Sequence, residues 1–204
     1  MGWRWLTQNG AARVVVVFGG WGFGAAPFAG MTGDADVLFS DDLADLPPAL
    51  PDLGARRVDA VGWSFGVATM GHWCAANDAD FTTRTAICGS LTPVDRRTGI
   101  PPRVFALTRD SLTPASFARF ARRCVDEPAD LPGVDVDRLR EDLNAVQSRG
   151  AAPDPGFDRA WVATRDAIFP PANLARAWAA CDVQQVDAPH MPFGALNSWD
   201  KVLP

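Results

Sequence analysis

The chain is short of the residues that build metal and redox centres. It has two histidines and four cysteines in 204 residues. Cys74, Cys88, Cys124 and Cys181 lie far apart, with no C-x-x-C pair. That leaves few soft ligands for a metal, so no metal site is expected. The cysteines read as reduced, mostly buried thiols rather than a disulfide framework. There is no basic segment followed by a compact apolar run and a small-residue cleavage site, so a cytoplasmic location is expected. Met1-Gly2 opens a myristoylation pattern, but Leu6 occupies the position that wants Ser or Thr. No internal repeat or low-complexity tract is visible. Basic residues are outnumbered, with 19 Lys plus Arg against 24 Asp plus Glu and a net charge of −5. That balance argues against general nucleic-acid binding. The uncharged stretch 14–31 is long enough to raise a membrane span, yet it holds five glycines and Pro27 and no second span follows. A strand plus a glycine-rich loop of a soluble protein is the expected outcome, with no membrane partner.

Apolar residues make up 48% and charged residues 21%, enough to bury the core of a single domain over residues 1–204. The run Val14 to Phe18 is β-branched and continuous, which suits a central strand covered on both faces. Gly19 to Gly24 breaks it. Val37 to Phe39, Val58 to Gly62 and Thr85 to Cys88 are further strand candidates, and a helix runs from the second of these to about Ala76. This β-turn-α alternation predicts an α/β fold with a doubly wound, mostly parallel sheet. Between about 100 and 152 the alternation stops. Thr113-Pro114 starts one helix, with Phe117, Phe120, Ala121 and Cys124 at helical spacing. Val136, Leu139, Leu143 and Val146 mark another that ends near Gly150. Two successive helices without a strand predict a small helical cap over the carboxyl edge of the sheet. The alternation resumes with a strand at 161–163, a helix at 173–180, a last strand at 183–186 and a short helix after Gly194.

Gly62-Trp63-Ser64-Phe65-Gly66 falls between a predicted strand and a predicted helix, the context a G-x-S-x-G nucleophile elbow requires. A serine hydroxyl needs a base within hydrogen-bond reach to act as a nucleophile. His190 follows the last strand, and Asp166 follows the strand before it. The chain order Ser, Asp, His is that of α/β-hydrolases. Each member has a plainer reading. Ser64 also suits a tight βα turn, Asp166 also suits a helix cap, and Asp95 is a rival acid. His72, inside the helix after the elbow, is expected to point away from Ser64 as a partly buried helix histidine. An oxyanion hole would draw one amide from Phe65 and a second from the glycine-rich loop, where Trp21 is the candidate. The same loop spells G-x-G-x-x-A through Gly20, Gly22 and Ala25, with Asp41 and Asp42 downstream. That keeps open a Rossmann-type dinucleotide-binding oxidoreductase, which would leave the elbow, Asp166 and His190 unexplained.

Several segments resemble the BioG family. They are Phe18-Gly19-Gly20-Trp21-Gly22-Phe23, Trp63-Ser64-Phe65-Gly66-Val67, and Pro93-Val94-Asp95 followed by Gly99-Ile100-Pro101-Pro102. They continue with Leu112-Thr113, Phe120 to Cys124, Asp166 to Asn173 with Trp178, and His190-Met191-Pro192-Phe193. The resemblance runs over nearly the whole chain in the family's order; the loop and elbow also resemble the functionally equivalent BioH esterases. Gly19 stands where the family tends to have Asn, and Ser90-Leu91 replaces its usual small-residue spelling before Thr92-Pro93. The resemblance implies a pimeloyl-[acyl-carrier protein] methyl ester esterase of biotin synthesis. Ser64 would be its nucleophile, His190 its base, Asp166 the acid, and Trp21 and Phe65 the amide donors. It also implies chemistry that needs no cofactor, an acyl carrier protein as partner and an apolar tunnel for the acyl chain. Trp21, Trp63, Phe117 and Phe120 are candidates to line that tunnel, and the two phenylalanines suit ordinary core equally well. A carboxylesterase or thioesterase acting on a free small molecule stays open as an alternative. Arg119, Arg122 and Arg123 share one helix face opposite Phe117, Phe120, Ala121 and Cys124. They are the candidate docking patch for an acidic carrier, against the plainer reading of a solvated face.

Overall fold

The computed structural model describes residues 2–54, 56–126 and 133–204. Val14, Val15, Val16 and Val17 have no solvent exposure, and their side chains alternate between two apolar cores. Val15 and Val17 join Phe39, Trp63 and Val67 on one face. Val14, Val16 and Phe18 join Leu38, Met70 and Trp73 on the other. A strand buried on both faces has to lie inside a sheet. Seven strands pair in the order β1 (Arg4–Thr7), β3 (Asp36–Ser40), β2 (Arg13–Phe18), β4 (Arg57–Trp63), β5 (Thr83–Ile87), β6 (Arg159–Ala163) and β7 (Asp182–Val186). β1 runs antiparallel to β3, and the other pairings are parallel. From β2 the chain goes to β3 on one side, then to β4 on the other. Ligands of such sheets bind beyond the carboxyl ends of the strands where the order reverses. Pairing of Phe18 with Gly62 places the Gly19–Trp21 loop beside Trp63 and Ser64.

Helix α1 (Gly66–Ala76) follows β4 and gives Met70 and Trp73 to the smaller core. The larger core takes Phe105 from α2 (Pro102–Asp110), Phe117, Ala121 and Cys124 from α3 (Pro114–Cys124), and Leu139, Leu143 and Val146 from α4 (Val136–Arg149). These three helices lie between β5 and β6. Leu174 from α5 (Pro171–Ala177) and Trp199 from α6 (Trp199–Val202) complete it. Among the described residues no helix is long and apolar enough to cross a membrane.

Two elements differ from the sequence expectation. α2 makes the inserted helices three rather than two, and β1 adds an edge strand. Phe105 is the one buried residue of α2, while Val104 and Leu107 are exposed, so no apolar period announces the helix. β1 is a half-exposed edge strand of four residues with a mixed sequence. The dinucleotide alternative fails on local structure. Its fingerprint needs a helix opening at the glycine loop, and here only the three-residue 3-10 turn Ala26–Phe28 follows β2. Asp42 and Asp41 face Arg138 at 2.8 Å and Arg4 at 3.6 Å instead of an open ribose site.

α3 starts on a reciprocal cap. The Thr113 hydroxyl accepts from the Ser116 amide at 3.1 Å, and the Ser116 hydroxyl accepts from the Thr113 amide at 2.8 Å. Removing an N-cap side chain costs about 1 kcal/mol. Thr113→Ala is therefore expected to lower the thermal midpoint by about 2–4 °C, measured by thermal denaturation. An unchanged midpoint would show that tertiary packing alone fixes the start of α3.

Candidate active site

Ser64 has φ 57°, one of two non-glycine residues with positive φ among those described. Such a backbone costs on the order of 1 kcal/mol, and the surroundings hold it there. The Ser64 amide donates to the Ile87 carbonyl at 2.9 Å, and the Ser64 carbonyl accepts from Val67 at 3.2 Å. The flanking glycines are required by contact. A Cβ at Gly66 would lie 2.0 Å from the Phe18 carbonyl oxygen, and one at Gly89 would lie 2.1 Å from the Ser64 carbonyl oxygen. The strand-turn-helix elbow expected at 62–66 is present, and it projects the Ser64 hydroxyl above the carboxyl edge of the sheet.

Three side chains from three loops meet there. His190 Nε2 lies 2.9 Å from Ser64 Oγ, and His190 Nδ1 lies 2.8 Å from Asp166 Oδ2. The other carboxylate oxygen of Asp166 accepts the amides of Ile168 at 2.7 Å and Phe169 at 2.9 Å. With its carboxylate so fixed, Asp166 takes an N–H from Nδ1 and leaves Nε2 to accept from the serine hydroxyl. Ser64, Asp166 and His190 are 5%, 6% and 1% exposed, so water competes little with these bonds. The Phe169 ring lies parallel to the imidazole at 5.9 Å, and the Trp63 indole N–H donates to the His190 carbonyl at 3.1 Å.

The rival groups are engaged elsewhere. Asp95 accepts the amides of Arg97 at 2.7 Å and Thr98 at 2.8 Å. These bonds, with that of the Thr98 hydroxyl, hold its carboxyl below the usual carboxylate range. His72 Nε2 lies 3.4 Å from the Gly150 carbonyl, and burial pushes its pKa down. Burial, and after it the charge of Asp166, pushes the Cys88 and Cys124 thiols up, so neither supplies a thiolate beside the serine. Among the described residues no cluster of three or more His, Cys, Asp or Glu is arranged to hold a metal ion.

Among the described residues the amides of Trp21 and Phe65 donate to no acceptor, although both residues are buried. The Trp21 loop abuts the serine, since a Cβ at Gly20 would lie 3.0 Å from Ser64 Cβ. Two unused buried donors beside a hydroxyl suit a developing oxyanion. Next to them a cavity of about 30 Å³ is lined by Trp21, Phe65, Phe105, Phe120, Arg123 and Ile168, among others. Of the four aromatics expected on a tunnel wall, Trp21 and Phe120 line this cavity. Trp63 is wholly buried, with its indole committed to His190, and Phe117 packs under Trp21 at 5.4 Å. Arg119, Arg122 and Arg123 are all exposed on α3. Arg123 is not free, however: its guanidinium donates to the carbonyl of Ala167, next to Asp166. Sequence reasoning missed that contact and the stacking role of Phe169. The position of Phe169, three residues after an aspartate that takes its amide, was the one local signal for it.

The family described as pimeloyl-ACP methyl esterase BioG matches residues 1–202. The crystal structure of BioG from Haemophilus influenzae superposes with a TM-score of 0.87 at 25% identity, covering 100% of both chains. A Bacteroides fragilis protein named malonyl-[acyl-carrier protein] O-methyltransferase is 27% identical over 192 residues, covering 87% of this chain and 39% of that longer protein. An enol-lactonase from Burkholderia xenovorans shares the fold, with a TM-score of 0.64 at 17% identity over 94% of this chain and 89% of that one. The chain belongs to the BioG family, an esterase family built on the α/β-hydrolase fold.

Proposed function

We propose that the chain hydrolyses the methyl ester of a pimeloyl group carried on acyl carrier protein, as a cytoplasmic enzyme of biotin synthesis. The observation that carries this reading is the hydrogen-bonded line from Ser64 through His190 to Asp166, at the point where the sheet reverses its strand order. Ser64 is the nucleophile. His190 Nε2 takes its proton as Oγ bonds to the ester carbonyl carbon, and Asp166 holds the imidazole and stabilises its charged form. The Trp21 and Phe65 amides receive the oxyanion. His190 returns the proton to the leaving oxygen, and methanol departs. Water, deprotonated by His190, then attacks the acyl-serine and releases the free carboxylate together with Ser64. Every proton passes through one imidazole, so these steps need no cofactor.

Helices α2, α3 and α4 act as the cap, an insertion at about 100–152 in a single hydrolase domain. Trp21 and Phe120 contact the acyl chain. Arg119 and Arg122, exposed on α3, the helix whose Phe120 and Arg123 line the cavity, meet the acidic carrier; a chain with net charge −5 needs such a local patch to approach it. The name of the Bacteroides fragilis relative supports a carrier-borne methyl ester, because a methyltransferase acting on such carriers contains a stretch similar to this chain.

Restoration of growth without biotin, in cells lacking their own pimeloyl methyl esterase, tests the substrate. Failure there with retained hydrolysis of small free esters would instead favour a general carboxylesterase. Ser64→Ala and His190→Ala are each expected to lower kcat by about 10⁴-fold or more while the protein stays folded. Near-normal turnover by either purified variant would remove the triad. Asp166→Asn is expected to cost about 10³–10⁴-fold, because it holds the wrong tautomer, and Asp95→Asn very little; the reverse order would transfer the acid to Asp95. Charge reversal at Arg119 and Arg122 together is expected to raise KM for the carrier-borne ester by about tenfold, and salt is expected to weaken the wild type similarly. Equal losses on a small free ester would show that the stripe is not a docking site.

A further inference from the structure

The end of α3 touches each part of the machinery. Phe117 and Phe120 pack edge-on against the Trp21 indole at 5.4 and 4.9 Å. The carbonyl of Cys124 accepts the amide of Met191, next to His190, at 2.9 Å. Asp126, just beyond the helix, pairs at 3.0 Å with Arg165, which also reaches Asp187 at 2.8 Å. Between these contacts Arg123 donates to the Ala167 carbonyl, and among the described residues no other donor reaches that oxygen. The Asp166 carboxylate is itself held by amides at 168 and 169, so the 166–169 turn is braced internally. Arg123 is its tie to the helical insertion.

We propose that Arg123 is a positioning residue for the acid-base pair rather than a docking residue. Its guanidinium fixes the 166–169 turn against α3, whose next residue holds the loop of His190, and so sets the distance between carboxylate and imidazole. The inference rests on the Ser64–His190–Asp166 reading above. A docking arginine and a positioning arginine differ in what they change. Loss of a docking contact raises KM for the carrier-borne substrate alone. Loss of a positioning contact lowers kcat on any ester, because a small misplacement of the acid-base pair acts on the chemical step.

The test compares wild type, Arg123→Ala, Arg123→Lys and Ser64→Ala on para-nitrophenyl butyrate, together with the rate of labelling by a fluorophosphonate and the thermal midpoint. Arg123→Ala is expected to lower kcat and the labelling rate by about tenfold, with KM within about twofold and the midpoint within about 3 °C. Arg123→Lys is expected to recover most of the loss, since an ammonium can make a single bond to one carbonyl. Unchanged kcat in Arg123→Ala would overturn the proposal, as would a loss that lysine does not repair and that tracks a fall in the midpoint. Retained hydrolysis and labelling by Ser64→Ala would overturn the triad reading itself, a result distinct from either of these.

Discussion

The packing of main chain against main chain at the elbow governs the rest of the site. β4 ends, Ser64 turns through a left-handed backbone, and α1 begins two residues later against the carbonyl ends of β2. Glycines at 62, 66 and 89 let three segments approach to distances at which a Cβ would meet backbone atoms. The turn raises the serine hydroxyl clear of the sheet and leaves the next amide, that of Phe65, aimed without a partner beside it. One crowded turn thus supplies a nucleophile candidate and one amide of a candidate oxyanion site together. Any side chain added at these glycines would force β2, β4 and β5 apart, and with them the loops that carry Trp21 and His190.

Around that rigid centre Asp166 and His190 are held less by their own strands than by contacts between loops. Asp166 is locked by the amides that follow it, and His190 by the Trp63 indole on its carbonyl and the Phe169 ring on its face. Several segments that carry the family resemblance prove to be mutual supports. Asn173 donates to the Gly99 carbonyl at 2.8 Å, and the Trp178 indole donates at 2.8 Å to the carbonyl of Gly89, the glycine pressed against Ser64. These contacts are structural and tie α5 and the residue after it to the loops that follow β5.

The α/β alternation was legible because β2 is apolar on both faces, β4 is so apart from Arg57 and Asp59, and Gly, Pro and Ser punctuate their ends. Ser64, Asp166 and His190 could be read because strand ends announce themselves and each side chain follows one. Choosing Asp166 over Asp95 needed coordinates: both aspartates accept amides two and three residues on, so their local sequence logic is alike. Only the register of β5, β6 and β7 brings one of them to the imidazole. α2 stayed hidden for another reason. A helix that buries a single phenylalanine has no apolar stripe, and the two prolines at its start read as a loop. The commitment of Arg123 was likewise invisible, because helical spacing makes it the equal of Arg119 and Arg122.

The cavity beside the two free amides poses the last physical constraint. At about 30 Å³ it has room for about one or two water molecules, yet Trp21, Phe65, Phe105, Phe120 and Ile168 present it with apolar surface. Anything larger than those waters in this space meets apolar side chains. The resistance is uneven around the wall. Phe65 belongs to the elbow and Trp21 is pinned by its indole bond to the Leu139 carbonyl at 2.9 Å. α2, by contrast, contributes one buried side chain and exposes Val104, which also lines the cavity. Of the three helices on this wall, α2 holds the fewest buried side chains. The Trp21 and Phe65 amides therefore lie on the firmer part of this wall.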